Sequence, residues 1–194
     1  MANPTIKLNT KYALSLVLAA PWVIMTARYL TGDLFYGEFI HATGEFSARL
    51  LIITLAVTPL RIMFARSPWT LWLLRSRRYF GVATFAYAVP HFVAYLWKLA
   101  SVAKIIEEGL QPGMWTGWIA LIIFLALAIT SNNFSTRKLG PRWRTLHRLV
   151  YLAAILTFVH WALVAFNPLA GLVHGGILIA LEAFRAVKIA KSNE

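Results

Sequence analysis

The sequence predicts an all-α integral membrane protein, a bundle of six transmembrane helices that forms a single domain over residues 1–194. Apolar residues make up 59% of the chain and charged residues only 13%, and the mean hydropathy is +0.65. A soluble domain of this size could not expose so much apolar surface to water. The apolar residues also fall into runs long enough to cross a bilayer, and these two observations together define the fold class.

Six apolar runs cover residues 12–30, 46–64, 79–97, 115–130, 146–166 and 169–184. The connections between them are too short to form a second domain. The first run follows Lys7 and Lys11, as in a signal peptide, but it is longer than the apolar region of a typical signal. No convincing small-residue cleavage site follows it. We therefore expect the first run to remain as a membrane anchor.

The distribution of Lys and Arg predicts the orientation of the bundle. These residues are concentrated in the second connection, the fourth connection and the C-terminal tail, whereas the other connections are mixed and more acidic. Because Lys and Arg accumulate on the cytoplasmic side, both termini are expected in the cytoplasm, and the third and fifth helices run in the same direction. The net charge of +12 is thus explained by topology and does not indicate nucleic-acid binding, which needs a basic face on a soluble scaffold.

The chain contains no cysteine, so thiolate metal sites, iron–sulfur clusters and disulfides are excluded. Any redox function would need a bound cofactor. Histidine is the residue type in this chain best suited to hold one, because neutral imidazole is a common axial ligand of haem iron.

Two histidines are expected at the same depth in the membrane. His91 follows Arg78 by 13 residues on the third helix, and His160 follows Arg148 by 12 on the fifth. In parallel helices both rings would lie roughly 18 to 20 Å from the inner interface. An ionisable ring in the hydrocarbon indicates a functional site, and the matched depth favours one iron held between the two rings. The alternative is that each ring only hydrogen-bonds to a neighbouring helix.

His147 lies at the inner end of the fifth helix, 13 residues before His160. That spacing places the two rings about 140° apart around an ideal helix, so either the helix entrance is irregular or the two histidines face different neighbours. The third helix offers Arg77, Arg78 and Tyr79 at this depth but no histidine. A haem at His147 would need another ligand, and the alternative is an interfacial histidine beside lipid headgroups.

Other polar residues have weaker claims to a function. His41 and His174 are expected near the outer side, the first as an interfacial histidine and the second as a minor candidate ligand. Arg49 is expected to extend to the interface, but near a haem it would pair with a propionate. Arg77 and Arg78 are explained in the first place by the membrane topology. They are also candidates for contacts with a propionate or a flavin phosphate.

Several short motifs lie in and between the predicted helices. They are His41-Ala-Thr-Gly44, Thr58-Pro59-Leu60-Arg61, Arg75-Ser-Arg-Arg78, the central His91, Thr130-Ser131, Arg137-Lys-Leu-Gly140, Trp143-Arg-Thr-Leu-His147 and Val150-Tyr-Leu-Ala-Ala-Ile155 before His160-Trp161. Together they resemble the MsrQ (YedZ) family, the haem-binding membrane subunits of the periplasmic protein-methionine-sulfoxide reductase system, which is part of the wider ferric reductase-like transmembrane superfamily. The match is good over the second to fifth helices and weak at the ends.

The resemblance implies a multi-pass protein of the bacterial inner membrane that binds one or two b haems, with FMN as a further candidate cofactor. It implies His91, His160 and His147 as the residues associated with haem iron. Electrons would come from the quinone pool or a cytoplasmic flavin reductase. They would pass to a periplasmic molybdopterin-containing reductase that repairs oxidised methionine in proteins, so the catalytic residues would lie on that partner.

Two other functions stay open from the sequence. One is a stand-alone ferric-reductase-like protein that delivers electrons to another acceptor. The other is a transporter or structural membrane protein with incidental histidines, for which broken helices and charge pairs at the midplane would be typical. The sequence contains no such charge pairs.

Overall fold

The computed structural model describes the backbone of residues 4–191 and the side chains of residues 12–191. Helices dominate this part of the chain, and six segments are long and apolar enough to cross a membrane, which confirms the predicted number. The helices of the described residues are α1 (Pro4–Thr31), α2 (Tyr36–Met63), α3 (Pro68–Leu99), α4 (Val102–Gly109), α5 (Pro112–Ile129), α6 (Asn133–Leu139), α7 (Pro141–His147), α8 (Leu149–Val164) and α9 (Leu169–Lys191).

The predicted starts of the second and third spans were wrong by about three turns. Helix α2 begins at Tyr36 instead of 46, and α3 begins at Pro68 instead of 79. The prediction followed hydropathy, which is lowered by the polar stretch around His41 in α2 and by the arginines in the first turns of α3. The backbone is nevertheless helical through both stretches, and Pro68 takes the first helical position, where its missing N–H costs nothing.

The fifth predicted span consists of two helices, α7 and α8, with a break at Arg148. The backbone N–H of Arg148 donates to the carbonyls of Arg144 and Thr145, and the N–H of Tyr151 donates three residues back to Arg148. Such tighter turns rotate the end of one helix relative to the start of the next. An irregular entrance to this span, one of the two alternatives left open by the sequence, is therefore present.

Helix α2 lies at the centre of the bundle and packs against α1, α3, α8 and α9, while α5 packs against α8. The main core contains Leu51, Leu55, Phe124, Ala153 and Ala154, all of them buried. Small residues such as the two alanines let helix backbones approach closely, which is a major source of packing energy between helices in lipid.

Helix α1 is held against α3 by hydrogen bonds as well as by packing. The indole Nε1 of Trp22 donates to the Ala86 carbonyl at 2.9 Å, and the Tyr87 hydroxyl donates to the Leu18 carbonyl at 2.9 Å. Both aromatic side chains thus satisfy a polar atom that would otherwise face hydrocarbon.

The connections divide the bundle into two ends. We call the end with connections 32–35, 100–111 and 165–168 the upper end, and the end with connections 64–67 and 130–140 the lower end. Helices α3 and α8 both run from the lower to the upper end. His91 and His160 therefore lie in the upper parts of their helices, and His147 lies at the lower end.

The packing of α8 can be tested with Ala153→Leu. Ala153 has no exposed surface, so three extra carbons must displace the neighbouring helices, at a cost of about 1 to 3 kcal/mol. We expect a lower midpoint temperature of thermal unfolding in detergent. The same change at the exposed Ala180 of α9 is the matched control, and equal midpoints for the two variants would contradict the packing described here.

Candidate functional site

A cavity of about 620 Å³ lies at the upper end between α2, α3, α5 and α8. Its volume is typical of ligand pockets. The lining is mostly apolar and combines small residues with aromatic rings: Gly44, Ala48, Ala88, Gly117, Ala120, Phe92, Trp118, Phe124, Trp161 and Phe166. The small residues leave open space between four helices that pack closely elsewhere.

His91 of α3 and His160 of α8 both line this cavity. Their ring centroids are 6.2 Å apart, and the ring planes are inclined by 81°. The prediction that these two residues reach the same depth in the bundle is thus confirmed. The structure brings together two histidines that are 69 positions apart in the sequence.

Each of the two rings makes a hydrogen bond through Nδ1 to a backbone carbonyl. The Nδ1 of His91 lies 2.8 Å from the Ile40 oxygen of α2, and the Nδ1 of His160 lies 2.6 Å from the Gly113 oxygen of α5. A carbonyl can only accept, so Nδ1 carries the proton in both rings. Each Nε2 therefore retains a lone pair that can bind a metal ion.

The hydrogen bonds expected under the alternative interpretation are thus present, but they do not compete with metal binding. They use one nitrogen of each ring and fix the tautomer, as the outer partners of metal-binding histidines usually do.

The separation of the rings is suited to one metal ion between them. With a metal–nitrogen bond of about 2 Å and each nitrogen about 1 Å from its ring centre, two rings on opposite sides of one ion have centroids roughly 6 Å apart. Among the described side chains no group of three or more His, Asp or Glu could hold a metal ion. Two imidazoles could hold an ion that is carried by a bound group, as the iron of a haem is.

Two glycines lie against the histidine rings, and neither contact was predicted from the sequence. Gly44 of α2 lies against the ring of His91, and Gly117 of α5 lies against the ring of His160. In each case the glycine follows the hydrogen-bonding carbonyl by four residues. Glycine at 113 and 117 is a GxxxG spacing, which is typical of close helix contacts in membranes and is the signal that could have drawn attention to α5.

Polar residues surround part of the cavity. Glu45 lines it and accepts a 2.6 Å hydrogen bond from Nη2 of Arg49, and His41 Nε2 lies 3.8 Å from the same carboxylate. Arg49 is therefore neutralised locally by Glu45. Tyr95 also lines the cavity, and its hydroxyl lies next to Glu108.

A second cavity of about 540 Å³ adjoins the first and shares Tyr36, Tyr95 and Glu108 with it. It is lined in addition by Lys98, Lys104 and Glu107. The upper end therefore combines cations, carboxylates and hydroxyl groups beside the cavity.

His147 lies at the lower end in a different environment. The Thr130 hydroxyl lies 2.7 Å from the Ala126 carbonyl and 3.0 Å from His147 Nε2. The ring also stacks on Trp143 at a centroid distance of 3.9 Å. His147 thus uses Nε2 for its hydrogen bond, whereas His91 and His160 use Nδ1.

Three further residues singled out from the sequence do not line the cavity: Arg77, Arg78 and His174. Arg78 donates to the Asn133 side chain at 2.8 Å, and Arg77 is half-buried beside it on α3. Both precede His91 by about four turns, or roughly 20 Å, so only a group at the lower end could contact them. His174 of α9 bonds its own helix through Nδ1 to the Ala170 carbonyl at 2.7 Å and contacts Trp161.

The bundle and its paired histidines define a class of membrane protein. A family model described as "Ferric reductase like transmembrane component" matches residues 43–158, which include His91 of the cavity and end two residues before His160. The chain therefore belongs to the ferric reductase-like transmembrane proteins.

Curated relatives define the family more narrowly. The chain is 37% identical over 154 residues to the protein-methionine-sulfoxide reductase heme-binding subunit MsrQ of Brucella anthropi, which covers 77% of this chain and 68% of that protein. It is 40% identical over 129 residues to MsrQ of Rhizobium meliloti, which covers 65% and 57%, and 38% identical over 154 residues to MsrQ of Brucella ovis, which covers 77% and 68%. The chain is a member of the MsrQ family, and its aligned part spans about 57 to 68% of the length of these relatives.

The tautomers can be tested in protein labelled with nitrogen-15 at histidine and purified without cofactor. Because the carbonyls of Ile40 and Gly113 can only accept, we expect Nδ1–H signals from His91 and His160, assigned with single His→Gln variants. An unprotonated Nδ1 in either ring of the cavity would contradict the geometry.

Proposed function

We propose that this chain is a b-haem electron-transfer subunit of a membrane system that reduces methionine sulfoxide in proteins. The observation that carries the proposal is the pair of imidazoles at the cavity, with centroids 6.2 Å apart and both Nε2 lone pairs free. His91 and His160 are the proposed axial ligands of one b haem. The relatives named as heme-binding subunits of protein-methionine-sulfoxide reductase support both the cofactor and the system.

Bound haem would supply reversible one-electron chemistry of its iron. The residues of the chain bind and orient it: the Ile40 and Gly113 carbonyls fix the imidazole tautomers, and the apolar cavity wall keeps water from the ligands. A low-polarity surrounding of this kind influences the reduction potential. No proton has to move at either histidine, because each Nδ1 proton is already held by a carbonyl.

The distribution of charge supports an orientation with the lower end in the cytoplasm of a bacterial cell, since the arginines of connection 64–67, α3 and α7 lie there. In this orientation the cavity lies near the periplasmic side. The proposed acceptor is a periplasmic molybdopterin-containing reductase that acts on methionine sulfoxide. The proposed donors are the quinone pool or a cytoplasmic flavin reductase, and FMN is a further candidate cofactor.

The lower end is the proposed place of entry for electrons. His147 is the candidate ligand of a second haem there, and Arg77 and Arg78 are candidates to bind anionic groups of a haem or flavin. Such a haem would require a second ligand other than histidine, because the described residues at this end offer only His147. Arg49 is a candidate for a propionate contact at the upper end, where it would have to exchange Glu45 for the propionate.

The match to the ferric reductase-like family model favours one alternative function, a stand-alone protein that passes electrons to another external acceptor. The two functions use the same histidine pair and differ in the acceptor. Co-purification with a molybdenum-containing reductase would separate them.

The haem site can be tested by visible spectra of purified protein, reduced with dithionite minus oxidised, with haem quantified as the pyridine haemochrome. We expect b-type bands that His91→Ala and His160→Ala each abolish or reduce strongly, since each variant removes one axial ligand. The haem content of His147→Ala measures whether a second haem is bound.

His174→Ala is the matched control for these spectra, because His174 lies in the same bundle but not at the cavity, and it should retain the wild-type bands. If folded wild-type protein from haem-replete cells has no such bands, or if His174→Ala loses as much haem as His91→Ala, the proposed site is wrong.

The acceptor can be tested by stopped-flow reoxidation of the reduced protein in liposomes. We expect rapid reoxidation only when both the periplasmic reductase and protein-bound methionine sulfoxide are present, because the haem passes electrons on and does not itself reduce the sulfoxide. Equal rates with ferric citrate alone would favour the stand-alone function.

A further inference from the structure

Each of the two histidines of the cavity is held by the same local arrangement on a neighbouring helix. On α2, the Ile40 carbonyl accepts from His91 Nδ1, and Gly44 lies four residues later against the ring. On α5, the Gly113 carbonyl accepts from His160 Nδ1, and Gly117 again lies four residues later. The two helix pairs have unrelated sequences, so the shared spacing reflects a shared geometric requirement.

The requirement follows from the shape of a helix. The carbonyl of residue i points along the axis toward the N–H of residue i+4, with which it already bonds. The rings of His91 and His160 reach their carbonyls by lying directly against residue i+4 of the neighbouring helix. A side chain at that position would begin in the space that the ring occupies, so this particular approach is favoured by a residue without Cβ.

The distances show how little space remains. A Cβ added to Gly117 would lie 2.7 Å from Nδ1, 2.9 Å from Cε1 and 3.1 Å from Cγ of His160. A Cβ added to Gly44 would lie 3.0 Å from both Nδ1 and Cε1 of His91. The contacts of 2.7 and 2.9 Å at Gly117 are shorter than those of Cβ atoms in real structures. The contacts of 3.0 Å at Gly44 lie at the lower limit of that range. Both contacts involve Nδ1 and Cε1, on the side of the ring that makes the hydrogen bond.

We propose that Gly44 and Gly117 are positioning residues for the haem ligands: they admit the imidazoles of His91 and His160 to the Ile40 and Gly113 carbonyls and so fix the direction and basicity of each Nε2. This proposal rests on the proposed haem ligation. A hydrogen bond from Nδ1 to a carbonyl makes imidazole a stronger electron donor to iron, and its loss weakens binding and raises the reduction potential.

The test compares Gly117→Ala and Gly44→Ala with Gly81→Ala. Gly81 is on α3, the helix of His91, and an added Cβ there would meet only Thr54 Cγ2 at an ordinary 3.6 Å.

In Gly117→Ala we expect haem affinity to fall by roughly 10- to 100-fold, the range for loss of outer-shell partners of metal ligands. The midpoint potential of the remaining haem should rise, and the low-spin signals in electron paramagnetic resonance should shift because a ring has rotated. Gly44→Ala should show the same changes to a smaller extent, and Gly81→Ala none.

The same three variants without haem provide a readout that is independent of the proposed function. In nitrogen-15 spectra of labelled histidine, Gly117→Ala should alter only the Nδ1–H signal of His160, and Gly44→Ala only that of His91. If both glycine variants fold and match Gly81→Ala in these signals, in potential and in haem affinity, the proposal is overturned. It is also overturned if neither variant folds while Gly81→Ala does, because the glycines would then serve helix packing alone. If the wild-type protein binds no haem, the proposed function is wrong. The histidine signals of the haem-free variants then still test whether the two glycines position the rings.

Discussion

The hydrogen bonds from His91 and His160 to backbone carbonyls are the interactions on which the site depends. Inside a membrane bundle an imidazole N–H has no water to bond with, and an unsatisfied polar group in hydrocarbon is costly. The backbone carbonyl oxygens of Ile40 and Gly113, which are part of neighbouring helices, accept these N–H groups. The same two bonds decide which nitrogen keeps its lone pair, so a requirement of folding in lipid also prepares the site for a metal.

This arrangement requires the helices to approach closely at some positions and to separate at others. Where α5 meets α8, Gly113 brings the backbone against Leu163 and Val164. One turn further, Gly117 leaves space for the ring of His160. Below the rings the cavity wall is formed by small side chains, including Ala48 and Ala120, before the large residues of the core close the bundle again. The cavity therefore results from the placement of small residues on four helices, and a rigid core lies directly beneath it.

Much of this architecture could be predicted from the sequence. The six spans follow from hydropathy, and the matched depth of His91 and His160 follows from counting residues along parallel helices. The break before α8 was one of the two alternatives that followed from the angle between His147 and His160. These features depend on local periodicity and on lengths, which a single sequence contains.

The features that could not be predicted depend on neighbouring helices. The upper part of α2 is too polar for a hydropathy signal, yet it is helical, and its residues Phe39, Thr43 and Ser47 are buried in the bundle. A single sequence does not say which backbone carbonyl each histidine meets, so the contacts of the two rings with Ile40, Gly44, Gly113 and Gly117 become visible only in three dimensions.

The two ends of the bundle differ in how they use histidine. At the upper end two rings bond through Nδ1, which leaves Nε2 with its lone pair, and their centroids lie at a distance that one metal ion can span. At the lower end His147 bonds through Nε2 to Thr130 and stacks on Trp143, so its Nε2 can bind a metal only after the bond to Thr130 is broken. The upper site is thus already arranged for its ligand before binding, whereas a lower site would have to rearrange. If the chain holds two haems, this difference predicts that the upper one binds more tightly and that the lower one depends more strongly on what occupies the surrounding basic residues.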